Sequence, residues 1–327
     1  MFKIEWEKTQ SRIKIESSVV AQMLQQAFPE RSDYAFNQIS GGCANLNYKV
    51  TFFDHSEPLL LRIYIRDPES AYREQHIAEL FANQRDRVPV PKTFFVGDCE
   101  GYRYAIIEYI FGVPLRDVLL HYGQAEWIDT MKDVGTMLAA VGKMDFHVAG
   151  LFDADLNVVK PFVSEEMSEE VYAILHDPVA AGYLGDERAE KIHQVYSTHV
   201  ALIPDASHHH LVHGDFDPSN ILVDKVQHRW QITALLDWEF TFSGSRLWDV
   251  SNMLRYAHCM PAVFQESFIE GLQEEGIVLP DQWEKTTHML SLISLVEAVA
   301  RGNPQESPLQ YSDMYQLIDY QIQQLST

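Results

Sequence analysis

The segment His213-Gly214-Asp215-Phe216-Asp217-Pro218-Ser219-Asn220 lies between two apolar stretches, Leu211-Val212 and Ile221-Leu222-Val223, and a further apolar run leads to Asp237-Trp238-Glu239. Flanking strands of this kind anchor a polar loop rigidly at a surface, as a catalytic constellation requires. An Asp followed five places later by Asn occurs by chance about once in a chain of this length, and fixed His and Gly neighbours make the coincidence roughly four-hundredfold rarer. The competing reading is a polar turn between two buried strands.

The rest of the chain divides in character. Ser17 and Ser18 open a predicted helix to about Phe28, followed by strand-like segments at Tyr34 to Ser40, Leu46 to Phe53 and Pro58 to Ile65, rich in aromatic and branched residues and separated by turns. Glu69 to about Gln84 has helical spacing, and Thr93 to Val96 and Arg103 to Tyr109 read as two more strands around the Gly97 to Gly101 turn. From Gly112 onward longer helices are predicted near Trp127 to Met144, Ser164 to His176, Glu187 to Ile203, Val263 to Glu275 and Gln282 to Ala300. They are interrupted by a strand pair, His210 to His213 with Ile221 to Val223, and by a strand from Trp230 to Leu236. At 327 residues two lobes are expected: a β-rich antiparallel lobe over 1–111 and a mostly helical lobe over 112–327, in an α+β fold with a cleft between them.

Composition narrows the partners. A formal charge of -22 argues against a nucleic-acid backbone or an anionic membrane surface as the main partner and suits a cationic or neutral small molecule. Three scattered cysteines indicate neither a disulfide framework nor a thiolate metal site. No stretch approaches the roughly eighteen apolar residues of a membrane span, and no signal-like core opens the chain, so the reading is cytoplasmic. Oligomeric state is not legible.

Phosphoryl transfer to a hydroxyl needs a carboxylate to receive the hydroxyl proton and oxygen ligands for magnesium. Asp215, Asn220 and Asp237 supply these in the order such chemistry uses: Asp215 as base, Asn220 and Asp237 as metal ligands. His213 reads as a hydrogen-bonding prop for the loop. Upstream, Gly41-Gly42-Cys43-Ala44-Asn45 lies between two predicted strands, where glycines let backbone amides approach phosphates. Arg62 is a cation embedded in the next strand, and Glu74 shares a helix face with Ile77, Ala78 and Phe81. An inward Glu needs a partner, and Arg62 is the best placed. Two unrelated surface charges are the alternative.

These motifs resemble the aminoglycoside phosphotransferase and choline kinase family of small-molecule kinases. The resemblance rests on Gly42-Cys43-Ala44-Asn45-Leu46-Asn47-Tyr48, Leu61-Arg62, Glu74, Ile106-Ile107-Glu108-Tyr109, the His213 to Asn220 loop and Asp237-Trp238-Glu239, running through about two-thirds of the chain. It implies a protein-kinase-like fold with ATP and Mg2+ between lobes, nucleotide contacts at Gly42, Asn45, Arg62 and Glu74, and adenine against hinge backbone near Glu108 and Ile110. It also implies a structural or acceptor-side role for Asp249. Two departures stand out: Arg62 replaces the Lys of many members, exchanging a point charge for a planar fork, and Asp217 adds an acid that either reaches the acceptor or bonds the turn. With Glu239 and Asp249, Asp217 makes an amine-bearing alcohol or sugar an attractive acceptor. Two other readings remain: a metal-dependent hydrolase built on His213, Asp215 and Asp217, and a non-catalytic nucleotide-binding regulator.

Overall fold

The computed structural model describes residues 1–7, 14–39, 45–54, 56–162 and 171–326. Strands β1 (Tyr34–Ile39), β2 (Leu46–Phe52), β3 (Leu59–Tyr64), β4 (Thr93–Cys99) and β5 (Tyr102–Glu108) form one antiparallel sheet in the order β1-β2-β3-β5-β4. The period-2 pattern of β2 sets its faces, with Leu46, Tyr48, Val50 and Phe52 buried and the residues between them more exposed. Helix α2 (Ser17–Ala27) places Val20, Met23 and Leu24 against that apolar side, where Leu61, Ile63, Tyr104 and Ile106 complete a small core. Helix α3 (Ser70–Leu80) follows β3, and the antiparallel register sets Arg62 between Asn47 of β2 and Ala105 of β5.

The later part of the chain is mostly helical, beginning with α4 (Leu115–His121). Helix α5 (Gln124–Val141) crosses the helix Val263–Glu274 at two glycines. A Cβ on Gly135 would lie 2.1 Å from Phe268 O, and one on Gly271 2.0 Å from Lys132 O, so the two backbones touch there. Trp127, Met131, Val134, Phe268 and Leu272 fill the surrounding core with side chains from the helices Trp283–Arg301 and Pro308–Leu325.

Two sequence expectations need correcting. The strand β9 (His210–Val212) does not pair with β10 (Ile221–Val226). It pairs with β12 (Phe242–Gly244) in a four-stranded sheet with β7 (Gly150–Phe152) and β8 (Val158–Pro161). β10 lies between β11 (Arg229–Leu235) and the two-residue β6 (Val113–Pro114). The 213–220 loop thus carries the chain from one sheet to another instead of turning a hairpin. Second, the opening helix α1 (Ile4–Glu7), counted with the β-rich lobe over 1–111, packs with the helical core: Phe2 is fully buried and Trp6 nearly so, both there and not on the five-stranded sheet. The helices Leu115–His121, Leu247–Leu254 and Pro308–Leu325 were also not expected. Of the predicted helix at 164–176, residues 164–170 lie outside the described residues, and 171–176 are helical.

Candidate active site

The loop after β9 is shaped by a glycine and two buried side chains. Gly214 has φ +82°, and a Cβ there would come within 2.2 Å of Phe240 O, so both conformation and space call for glycine. Asp249, fully buried in the helix Leu247–Leu254, accepts the His213 and Gly214 backbone N–H at 2.8 and 2.9 Å. Burial raises its pKa to about 7, with those two donors pulling the other way. A carboxylate with both oxygens spent on loop amides is not open to an acceptor, which corrects the acceptor-contact expectation for Asp249 in favour of the structural one.

His213 is likewise internal. Its Nδ1 accepts from Asp215 N–H at 3.2 Å and its Nε2 lies 2.9 Å from Leu236 O, an arrangement that assigns the proton to Nε2. Burial lowers its pKa to about 4, so the ring is neutral near pH 7. With both nitrogens occupied it has none to offer a metal, against the hydrolase reading, and no cluster of three His, Cys, Asp or Glu side chains suited to a metal occurs among the described residues.

Asp215 and Asn220 come together directly. Asn220 Nδ2 donates to Asp215 Oδ2 at 3.0 Å and to Asp215 O at 2.9 Å, leaving its carbonyl oxygen as the atom it can offer a cation. The other carboxylate oxygen, Asp215 Oδ1, is engaged by the ammonium of Lys3. Burial opposes ionisation of Asp215, but Lys3 outweighs it and holds the carboxyl below its ordinary range. Asp217 bonds the turn: Oδ1 accepts from Ser219 N–H at 2.9 Å and Ser219 Oγ at 2.7 Å. Its Oδ2 is buried with no hydrogen-bond partner.

A second group converges from the sheet. Arg62 Nη1 donates to Glu74 Oε1 and Oε2 at 2.8 and 3.1 Å, Tyr64 hydroxyl donates to Glu74 Oε2 at 2.6 Å, and Asp237 Oδ1 stands 3.7 Å from the same guanidinium nitrogen. The inward Glu74 thus finds the expected cation. Burial works against the charge on Arg62, and Glu74 with Asp237 overcomes it, raising its pKa. Asp237 adopts a left-handed φ of 68°, a conformation uncommon outside glycine. Burial raises its pKa to about 6, and its Oδ1 is buried with no hydrogen-bond donor. Asp237 Oδ1, without a hydrogen-bond donor, and the Asn220 side-chain carbonyl are hard oxygens of the kind that suits magnesium, and the backbone ties their segments together through Leu236 N–H donating to Asn220 O at 2.8 Å.

Other expected residues are placed as follows. Asn45 directly precedes β2 and donates to Glu239 Oε2 at 3.1 Å while its Oδ1 accepts from Ile65 N–H at 3.4 Å. Glu239 thus binds Asn45 through Oε2 on the sheet side of the site, and burial raises its pKa to about 8. Gly42 lies outside the described residues. Glu108 ends β5, where its N–H donates to Lys92 O at 2.8 Å and its carboxylate accepts from Lys92 N–H at 3.0 Å and from Arg85. Past it, around Ile110, Tyr109 and Phe111 meet edge to face at 5.2 Å, with Lys49 Nζ 4.3 Å over the Tyr109 ring. Lys3 was missed, because its partner is 212 residues away and nothing in its neighbours marks it.

The model of the phosphotransferase enzyme family matches residues 35–286. No curated protein sequence matches the chain. Among solved structures, a ternary complex of the aminoglycoside phosphotransferase APH(4)-Ia with AMP-PNP and hygromycin B superposes with a TM-score of 0.65 at 17% identity, covering 92% of this chain and 98% of that one. The GDP and kanamycin complex of APH(2")-IIia gives 0.69 at 13% identity over 92% and 97%. A putative fructosamine-3-kinase from Haemophilus somnus 129PT gives 0.59 at 14% identity over 94% and 97%. At these identities the likeness is one of fold, and that fold is protein-kinase-like.

Proposed function

Since the chain belongs to the phosphotransferase enzyme family, we propose that it transfers the γ-phosphoryl group of ATP to a hydroxyl of a small molecule, with residues up to 111, apart from the opening segment 1–7 that packs in the helical core, serving nucleotide binding and 112–327 catalysis and acceptor binding. The observation that carries this reading is the joining of Asp215 to Asn220 at 3.0 Å, with the unpartnered Oδ1 of Asp237 turned toward Arg62.

In this reading Asp215 orients the acceptor hydroxyl. The hydroxyl oxygen bonds to the γ-phosphorus as the bond to the β,γ-bridging oxygen breaks, the proton passes to Asp215, and ADP leaves. A carboxyl held below its usual pKa is a weak base, which such a loose transition state tolerates because positioning and charge neutralisation carry most of the catalysis. Asn220 and Asp237 are the residues that would hold Mg2+, which when bound neutralises charge developing on the phosphate oxygens. Arg62, oriented by Glu74 and Tyr64, faces the phosphates from the sheet. Asn45, tied to Glu239, serves the nucleotide with Gly42, and adenine meets backbone near Glu108 and Ile110.

For the acceptor, the acidic chain and the fold shared with proteins crystallised with hygromycin B or kanamycin favour an amine-bearing alcohol or sugar. ADP release with Mg2+ and ATP, screened over amino alcohols, aminoglycosides, homoserine, thiamine and glycated amines, identifies it. Asp215→Asn should then lower turnover by roughly a hundred to ten-thousandfold while nucleotide affinity is kept. Wild-type turnover in that variant would remove Asp215 from catalysis, and no transfer to any acceptor would favour a nucleotide-binding regulator.

A further inference from the structure

Lys3 is an unusual residue to find beside a reacting carboxylate. It is only 8% exposed, and its ammonium sits on Asp215 Oδ1, the oxygen that Asn220 does not use. The acceptor hydroxyl has to reach within hydrogen-bond distance of this same carboxylate. The Lys3 ammonium therefore stands where an acceptor has to come.

The segment is seated by more than this one pair. Phe2 is fully buried, its ring 5.3 Å from Tyr256 and 6.0 Å from Phe264. Trp6 Nε1 donates to Asp313 Oδ2 at 2.9 Å, and the Tyr256 hydroxyl donates to the same oxygen. Phe2 and Lys3 both take left-handed φ values, 48° and 57°. Such a conformation is strained for any residue with a Cβ, so this backbone path persists because burial and the ion pair offset it. The conformation is the one that delivers the ammonium to Asp215.

We propose that Lys3 is a tethered competitor of the acceptor: the segment 1–7 fills the acceptor position at Asp215 and yields it selectively to an acceptor that brings its own cation. This rests on Asp215 being the acceptor-binding carboxylate proposed above. The selectivity follows from charge. The field at Lys3 comes from Asp215 and Asp217, with Arg255 the neighbouring cation. A neutral alcohol that displaced Lys3 would leave Asp215 with the Asn220 amide but without its ammonium, next to the unpartnered Oδ2 of Asp217, and part-buried carboxylates stripped of their cation are costly. An alcohol carrying an ammonium replaces like with like.

The test uses the full chain with Mg2+ and ATP. Lys3→Met keeps the stem and removes the charge, and it should raise phosphate release to water at least about tenfold, the lower end for loss of a charge-assisted hydrogen bond. Lys3→Arg should behave as wild type. Should Lys3→Met fail to fold, Asp313→Asn loosens the Trp6 anchor without touching Asp215 and should shift the rate in the same direction. In the wild type, ethanolamine should accelerate amide exchange of residues 2–6, and ethylene glycol, its neutral counterpart, should not. An unchanged or lower rate in a folded Lys3→Met or Asp313→Asn variant overturns the competitor, and equal exchange with both alcohols overturns the charge selectivity. Asp215→Asn separates the two levels: if it abolishes turnover while Lys3→Met is silent, only the present inference fails, whereas full turnover in Asp215→Asn removes the reading beneath it.

Discussion

Arg62 and Glu74 form a two-pronged contact in which one guanidinium nitrogen reaches both carboxylate oxygens, at 2.8 and 3.1 Å, with both side chains almost wholly buried. Removing one partner strands the other. Arg62→Ala should destabilise the fold by about 3–5 kcal/mol in denaturant unfolding, the usual consequence of an uncompensated buried charge. Arg62→Lys should fold but bind ATP more weakly, since an ammonium cannot span Glu74 and phosphate with one planar fork. Equal nucleotide affinity in Arg62→Lys would show that only the charge matters.

Gly214 admits no side chain without displacing Phe240 O, 2.2 Å from where a Cβ would be. Gly214→Ala should therefore shift the backbone that carries Asp215. The expected outcome is a turnover loss of about a hundredfold, as for a reacting group misplaced by about 1 Å, with nucleotide affinity much less affected.

Asp249 satisfies two buried backbone N–H groups. Asp249→Ala would leave both without acceptors, costing on the order of 1–3 kcal/mol each. Thermal unfolding should show that loss together with reduced turnover, and added acceptor should not restore the rate, because the defect lies behind the loop and not in acceptor contact.

His213 makes stability pH-dependent. Its folded pKa of about 4 lies below the ordinary 6.5, so the unfolded chain takes up this proton first as the medium is acidified. Its contribution is complete above pH 6.5 and is lost as pH falls toward 4, by roughly 3 kcal/mol. Asp237, Glu239 and Asp249 have raised values and act with the opposite sign, so the clean measurement is a difference. His213→Gln should remove the acid-side loss over pH 4 to 6.5 relative to wild type.

What the sequence made legible follows the range over which each signal acts. The β2 pattern and the apolar faces of α2 and α5 are local, and they are found where period and composition place them. The Glu74 to Arg62 contact was legible because an inward charge on a helix face demands a partner and one lay twelve residues away. β6, β7, β9 and β12 are two or three residues long and too short for alternation to show, so the pairing of β9 was misread. Lys3, Glu239 and Asp249 acquire their partners across 212, 194 and 36 residues. Such contacts depend on tertiary closure, which leaves no local mark on a single chain.

The glycine crossing of α5 with the helix Val263–Glu274 bears on how the molecule can move. Where backbones touch without intervening side chains there is no compressible layer to shear, and rotation of either helix would drive Phe268 O or Lys132 O into the opposing glycine. The pair acts as one beam within the helical core. Mechanical compliance for admitting and releasing ligands must then come from the edges of the site, with the opening segment that carries Lys3 as one such edge.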